Sequence, residues 1–298
     1  AAGSDADLAA AVAAARESDV AIVALGDNSS YHGGIGWGDD NDSGTSAVTC
    51  GEGFDSASLA LPGRQQELLE AVAATGKPVV LILMTGRPYC IPWAAAQIPA
   101  ILQAWYPGEQ GGHALGDLLF GDVSPSGRLP ISFPRSVGHL PCFYNHKVSA
   151  RGYYKKPGTP DKPGRDYVFA QPGPLYAFGH GLSYTAFAYS DLTVTPGAVP
   201  ANGRVEVSVT VANTGARAGQ EVVQLYLTDA FSRITPLVRR LRGFRKIALK
   251  PGESRRVSFT LDRKDFAFIN ERMKPEVEPG EFRVAIATLS ATFAVTAS

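Results

Sequence analysis

A glutamate between two glycines is the first candidate for chemistry in this sequence. Glu52 lies in the stretch TCGEGFD (49–55), where the flanking glycines let a loop present a carboxyl group with little bulk around it. We interpret Glu52 as a proton donor. On local spacing alone, the alternative is a solvated glutamate in a glycine-rich loop.

Two aromatic residues precede Glu52 in the long polar stretch 29–50. Sugar rings stack on aromatic faces and glycosidic bonds are broken by pairs of carboxyl groups, so Tyr31 and Trp37 are candidates for a substrate-binding wall. A loop aromatic packed against the core explains Trp37 equally well. Four polar residues nearby fit solvated or structural roles better than ligand roles: His32, Asp39, Asp40 and Asp42.

Other chemistries fit less well. Glu109, in PGEQGG (107–112), lies at a predicted helix start, where the helix dipole favours a carboxylate, so we assign it a structural role. Nucleotide-loop motifs are absent, and GGIG (33–36) does not lie between a strand and a helix. No His or Cys pair has zinc-site spacing, and GHGLS (179–183) lacks the serine hydrolase pattern. The sequence therefore predicts no cofactor and no metal ion.

Helices that alternate with short apolar strands must position Glu52. Apolar runs at 20–25, 79–84 and 100–105 predict buried parallel strands, and 6–17, 62–75 and 111–120 predict helices. We expect an α/β sandwich over residues 1–147, a mostly parallel sheet with flanking helices. Ligand crevices of such sheets lie at the carboxyl ends of strands, and the loop that carries Glu52 leaves such an end.

The second half of the chain has a different pattern. Residues 148–184 are rich in proline, glycine and aromatics, and predict a connector. Residues 185–298 alternate with period two, with strands expected at 204–211, 221–228, 255–261 and 282–287. This spacing predicts an all-β sandwich of the fibronectin type III or immunoglobulin-like kind.

Composition limits the classes of partner that we expect this chain to bind. The 298 residues are 45% hydrophobic, and 28 basic residues balance 28 acidic ones, which argues against nucleic acid or an anionic membrane as the main partner. No apolar run approaches the roughly 20 residues that span a bilayer. The first residues lack the features of a signal peptide, and the compartment stays open, with a secreted or periplasmic location slightly favoured. Any pairing among Cys50, Cys90 and Cys142 is also left open.

A series of motifs runs in one order through essentially the whole chain. They are GEGFD (51–55), LALPGRQ (59–65), GKPVV (76–80), AWYPGEQGG (104–112), FGDVSPSGRLP (120–130), LYAFGHGLSY (175–184), GQEVVQLY (219–226) and LRGFRK (241–246). Together these motifs resemble glycoside hydrolase family 3, the β-glucosidase and β-xylosidase family.

This resemblance implies a division of labour between domains. Family members combine a (β/α)8-type barrel, which supplies a nucleophilic Asp, with an α/β sandwich, whose loop supplies the acid/base Glu, and often with a fibronectin-like domain. Glu52 matches the acid/base position. Such a barrel needs about 250 residues, and the sequence opens inside the sandwich, so we expect the nucleophile on a separate barrel polypeptide or another part of a precursor. The implied function is the acid/base portion of a retaining, exo-acting β-glycosidase, most simply a β-glucosidase, acting on a β-linked glucoside or oligosaccharide.

Two departures from the family pattern stand out. Ser56 follows Asp55 where the family often has Arg, and the stretch 29–50 is an unusually long insertion, which bears on Trp37. The competing interpretation is a non-catalytic carbohydrate-binding or scaffolding module that kept the fold. A nucleotide-binding α/β domain has only the alternating elements in its favour.

Overall fold

The fold is that of a computed structural model of the chain, which describes residues 3–28, 49–51, 55–148, 159, 161–162 and 171–297. The chain forms two compact units. The first takes in Ala1–Gly116, Ser132–Cys142 and Pro174–Tyr176, and the second Asp117–Ile131, Phe143–Gly173 and Ala177–Ser298. The domain boundaries expected at 147/148 and 184/185 stay predictions.

The first unit contains a parallel sheet with helices, as the sequence predicts. Its three strands lie in the order β1-β2-β3. In chain order the elements are α1 (Asp5–Glu17), β1 (Ala21–Gly26), α2 (Gln65–Ala73), β2 (Val79–Met84), α3 (Pro92–Gln97), β3 (Ala100–Gln103) and α4 (Gly111–Phe120), which runs on into the second unit; a 3₁₀ turn follows at Val137–His139.

One face of this sheet forms the core of the unit. Leu81 and Leu83 of β2 are fully buried with Leu69 of α2, and each such leucine contributes about 1.5–3 kcal/mol relative to an exposed one. A capping box starts α1, in which the Ser4 hydroxyl accepts from the Asp7 amide and the Asp7 carboxylate accepts from the Ser4 amide. The buried leucines hold β2 against α2, and the capping box defines where α1 begins.

The second unit is a β-sandwich, as expected. One sheet has the order β4-β6-β9 and the other the order β5-β13-β12-β7-β8. The elements are β4 (Phe187–Thr195), β5 (Ala198–Pro200), β6 (Val205–Asn213), β7 (Gly219–Asp229), β8 (Arg240–Leu249), β9 (Ser254–Leu261), α5 (Arg263–Phe266), β10 (Phe268–Ile269), β11 (Pro275–Glu276), β12 (Gly280–Ile286) and β13 (Leu289–Thr296). Alternate residues of β6 and β7 line the core, including Val205, Val207 and Val209, which are fully buried.

Two segments outside the strands belong to this second unit. The Leu129 amide donates to the His180 carbonyl at 2.8 Å, and the Gly179 amide donates to the Leu129 carbonyl at 2.8 Å. Gln224 of β7 donates from Nε2 to the Gly179 carbonyl at 3.1 Å. The motifs SGRLP and FGHGL therefore pair with each other on the sandwich, which gives them a structural role.

A buried ion pair accompanies this pairing. The Arg128 guanidinium donates to Glu221 Oε2 of β7 at 2.5 Å, with side chains only 12% and 9% exposed. The Tyr189 hydroxyl donates to the other oxygen, Oε1, at 2.7 Å. Burial, together with this hydrogen bond, raises the pKa of Tyr189, so its hydroxyl stays protonated and keeps donating.

Candidate functional site

The candidate site lies at the carboxyl ends of the parallel strands, where open α/β sheets place their ligand crevices. Leu25 of β1 pairs with Leu83 of β2, and Leu83 pairs with Gln103 of β3, so the three strands end side by side. Asp27 directly follows β1, and Tyr106 lies three residues beyond β3. The side chains that follow the strands therefore meet at one edge.

Asp27 is the centre of this edge. Its carboxylate accepts a hydrogen bond from the Gly86 amide at 3.1 Å and from the Tyr89 hydroxyl at 2.9 Å. The Tyr106 hydroxyl donates to the same carboxylate. One acidic side chain thus joins the ends of all three strands.

Both tyrosines are held in the protonated form. Burial raises the pKa of Tyr89 above its ordinary value of 10.0, and the hydrogen bond to Asp27 raises it further. The same two causes raise the pKa of Tyr106, although 44% of the residue is exposed. Each hydroxyl therefore remains a donor to Asp27 at neutral pH.

A strained residue turns Tyr106 towards Asp27. Trp105 has a φ of 55°, a left-handed conformation that costs a non-glycine residue about 1–2 kcal/mol. Its ring packs against that of Phe133 with the centroids 6.2 Å apart. This contact offsets part of the strain, and the bend at Trp105 directs the chain that follows β3 back over the strand ends.

The chain that leads to Glu52 is attached at the same edge. The amides of Thr49 and Cys50 both donate to the Asn28 carbonyl, at 3.0 and 3.1 Å, and the Asn28 amide donates to Thr49 Oγ1 at 3.0 Å. These three bonds join residue 28 to residues 49 and 50. The segment 49–51, which we call the loop base, therefore lies next to Asp27.

Cys50 packs tightly within the loop base. A Cβ atom added at Gly86 would lie 2.9 Å from the Cys50 sulfur and 3.0 Å from Cε2 of Tyr106, so only glycine fits between them. A hydrogen bond between Arg87 and Cys50 raises the pKa of the Arg87 guanidinium. In the described part of the chain, all three cysteines are free thiols.

A cavity of about 410 Å³ opens beside the loop base. Its lining includes Thr49 on one side of the stretch 52–54 and Ser56 on the other, together with Tyr89. The Ser56 hydroxyl donates to the Ser58 carbonyl at 2.5 Å. The chain on both sides of residues 52–54 thus borders one cavity, whose lining combines hydroxyl groups with apolar residues such as Leu61 and Pro62.

Gln65 explains part of the LALPGRQ motif. Its amide group accepts from the Gly26 amide at 2.8 Å and donates to the Gly26 carbonyl at 2.6 Å, so it satisfies both backbone groups of the last residue of β1. Gly26 is also pressed against β2, because a Cβ atom there would lie 1.9 Å from the Met84 carbonyl oxygen. The end of β1 is therefore fixed on two sides.

Replacement of Gly26 by alanine is expected to destabilise the chain by about 1–3 kcal/mol, because the clash is with backbone atoms that cannot rotate away. The free energy of unfolding in urea measures the change. Gly116→Ala is the matched control, since a Cβ at Gly116 meets nothing within 4 Å and lies inside α4. That control should be stabilised by about 0.5–1 kcal/mol. Equal stabilities of the two variants would contradict the close approach of β1 and β2.

The three residues that the sequence singles out as site residues, Glu52, Trp37 and Tyr31, lie outside the described residues, as do His32 and the acidic residues 39, 40 and 42. Glu109 lies two residues before α4. Among the described residues, no group of three or more His, Cys, Asp or Glu side chains could hold a metal ion. Of the helices in the described ranges, none is both long and apolar enough to cross a membrane.

Sequence reasoning missed the Asp27 cluster. The available signal was the position of Asp27 directly after a buried strand, at the edge where function was expected. Its partners Tyr89 and Tyr106 lie 62 and 79 residues further along the chain, so no local pattern connects them.

Comparison with known proteins shows the family. The description of the first matching family model is "Glycosyl hydrolase family 3 C-terminal domain", over residues 1–184, and that of the second is "Fibronectin type III-like domain", over residues 221–290. The fold and these matches show an α/β domain of the glycosyl hydrolase C-terminal kind, followed by a fibronectin type III-like domain. It belongs to glycoside hydrolase family 3.

Similar proteins carry glycosidase names. The chain is 42% identical to a periplasmic β-glucosidase of Salmonella typhimurium over 94% of its length and 34% of that protein. It is 39% identical to a β-xylosidase of Formosa agariphila over 94% of its length and 35% of that protein. The chain therefore spans about a third of the length of these curated relatives.

Solved structures agree with this result. A β-glucosidase from Listeria innocua in complex with glucose superposes with a TM-score of 0.82 at 33% identity, over 99% of this chain and 39% of that one. A β-glucosidase from Erythrobacter marinus gives a TM-score of 0.80 at 39% identity, over 98% and 36% of the two chains. Because these superpositions cover 98% and 99% of this chain, the similarity includes residues of both units.

Proposed function

We propose that this chain supplies the general acid/base of a retaining, exo-acting β-glycosidase, most simply a β-glucosidase, with Glu52 as the acid/base residue. The observation that carries the proposal is the match of residues 1–184 to the family's C-terminal domain, with Glu52 in the motif GEGFD. The loop base supports it, because residues 49–51 lie at the carboxyl ends of the strands. The β-glucosidase names of the relatives favour a β-linked glucoside as substrate.

The mechanism needs a second carboxylate. In retaining glycosidases the two carboxyl groups stand about 5 Å apart, and one attacks the anomeric carbon while the other protonates the departing oxygen. Water then releases the sugar after the acid/base residue, now a carboxylate, removes its proton. The proposal places the nucleophilic Asp on a barrel domain, either another part of the same polypeptide or a separate chain.

The remaining assignments follow from this scheme. Trp37 and Tyr31 are proposed to stack on the sugar or its leaving group from the stretch 29–50. The two carboxyl groups carry out every proton transfer and bond exchange, so the proposal assigns no cofactor. Held protonated near neutral pH, by partial burial or by the charge of the nucleophile, Glu52 would be ready to donate.

The proposal is tested by comparing the chain alone with the chain assembled with the barrel domain. We expect release of glucose from cellobiose only in the assembled enzyme, with the β-anomer formed first in proton NMR spectra. Sugar binding by the chain alone, measured by calorimetry, together with an inactive assembly would favour the non-catalytic carbohydrate-binding module instead.

A further inference from the structure

We propose that Asp27 is a positioning residue for the acid/base group: it holds the turns after β2 and β3 against the loop base and so fixes the chain from which Glu52 follows. The inference rests on the proposed function, because its kinetic consequence requires Glu52 as the proton donor. The carboxyl group of Asp27 takes no part in the reaction itself, and its proposed role is to position other groups.

The first step is the set of groups that Asp27 holds. Its carboxylate accepts from the Gly86 amide, which belongs to the turn after β2, and from the Tyr89 hydroxyl a few residues further on. It also accepts from Tyr106, which follows β3. Hydrogen bonds to an ionised acceptor are about twice as strong as neutral ones. A single negative charge thus fixes two separate turns relative to β1.

The second step connects these turns to the loop base. The Cys50 side chain lies against Gly86 and Tyr106, with no room for a Cβ atom at position 86. Both of these neighbours donate to Asp27. On its other side the loop base is bonded to Asn28, the residue after Asp27. Asp27 therefore fixes the wall against which Cys50 packs.

The Arg87 guanidinium also interacts with Asp27 and with Cys50, so a cation accompanies the carboxylate at the loop base. Loss of the carboxylate would leave the Gly86 amide and two hydroxyls without their acceptor. These groups would rearrange, and the wall against Cys50 would loosen.

A displacement of this kind has a kinetic signature. A misplacement of about 1 Å at a reacting group can cost about 100-fold in rate. The acid acts mainly on poor leaving groups, because activated aryl groups depart with little protonation. A displaced acid therefore lowers kcat/KM for alkyl glucosides much more than for dinitrophenyl glucosides, whereas loss of folded protein lowers both equally.

The proposal that Asp27 fixes the loop base is tested by the reactivity of Cys50. Alkylation by iodoacetamide is followed at Cys50 by peptide mass spectrometry, which separates it from Cys90 and Cys142. We expect Cys50 to be alkylated about fivefold faster in Asp27→Ala, because Gly86 and Tyr106, against which Cys50 packs, are released. Asp19→Ala removes an exposed aspartate just before β1 and should leave the rate unchanged. An unchanged rate in Asp27→Ala would overturn the proposal.

The effect of Asp27 on the proton donor is tested by kinetics of the enzyme assembled with the barrel domain. We expect Asp27→Ala to lower kcat/KM for methyl β-glucoside by about 10- to 100-fold and that for the dinitrophenyl glucoside by less than about threefold. Asp27→Asn, which keeps one acceptor oxygen, should recover part of the loss. A loss that is equal for both substrates would overturn the positioning role. If Asp27→Ala does not fold, Tyr106→Phe removes one of the three donors and carries the same test.

A double variant separates this proposal from the proposed function. In a Glu52→Gln background, Asp27→Ala should have little further effect on methyl β-glucoside, because the group that it positions is already lost. A full additional loss would overturn the role of Asp27. If Glu52→Gln itself shows no dependence on the leaving group, the proposed function fails, and Cys50 alkylation still decides whether Asp27 fixes the loop base.

Discussion

Glu52→Gln in the assembled enzyme is expected to lower kcat/KM for methyl β-glucoside by about 100- to 10,000-fold, the usual contribution of a general acid. For the dinitrophenyl glucoside kcat/KM should fall less than about tenfold, because that leaving group departs without protonation. With this substrate kcat should still fall, since the glycosyl-enzyme intermediate loses the base that activates water. Steady-state kinetics with both substrates measure the difference.

Chemical rescue by azide tests whether Glu52 also acts as the base. Azide ion needs no base, so it should restore kcat for the dinitrophenyl glucoside in Glu52→Gln and form the β-glucosyl azide. Glu109→Gln is the matched control, because Glu109 also follows a glycine, lies in the same predicted domain and is assigned a structural role. Equal losses with both substrates, or the same pattern in Glu109→Gln, would contradict the acid/base assignment.

The sequence predicted the elements of the sheet well, because each carries a strong local signal. The run VVLILM predicts β2 at Val79–Met84, and the helix expected at 111–120 is α4, Gly111–Phe120. The helix expected from residue 62 begins only at Gln65. The residues between them form a turn in which Gly63 has a φ of 61°, so the chain enters the helix later than Pro62 suggests.

In the sandwich, the sequence found strands with strict alternation and missed others. β8 (Arg240–Leu249) contains the basic residues Arg240, Arg242, Arg245 and Lys246, whose charges obscure the period of two. β8 lies at an edge of its sheet, paired only with β7, which allows charged and exposed residues such as Arg245. β13 (Leu289–Thr296) was also missed, although its Phe293 and Val295 are buried in the core.

The sequence indicated the edge of the sheet at which the strands end, but not the side chains that meet there. Parallel strands end at one edge by geometry, so a functional loop near β1 could be anticipated from the alternation of elements. The network around Asp27 could not, because it depends on the lengths of the turns after β2 and β3 and on the left-handed conformation of Trp105. These properties are set by tertiary packing.

The largest stability effect is expected at the Arg128 ion pair. Arg128→Met leaves the carboxylate of Glu221, which is 7% exposed, without its cation, and breaking a buried pair in this way costs about 3–5 kcal/mol. Tyr189 can satisfy only one of the two carboxylate oxygens. The free energy of unfolding of the β-sandwich, followed in urea, should fall by this amount. The FGHGL segment should exchange its amide hydrogens faster, because Arg128 packs against Gly181 within the second unit.

Two further variants decide whether burial is the cause. Arg255→Met breaks an exposed pair of the same unit, in which Arg255 and Glu253 are 2.8 Å apart with side chains 48% and 35% exposed, and should be much less destabilising than Arg128→Met. The double variant Arg128→Met/Glu221→Leu removes both buried charges and should recover most of the lost stability, because desolvation of the remaining carboxylate is the main cost. If Arg128→Met were no more destabilising than Arg255→Met, or if the double variant were no more stable than Arg128→Met, an unpaired buried charge could not be the cause. The pairing of SGRLP with FGHGL would then not depend on the buried ion pair.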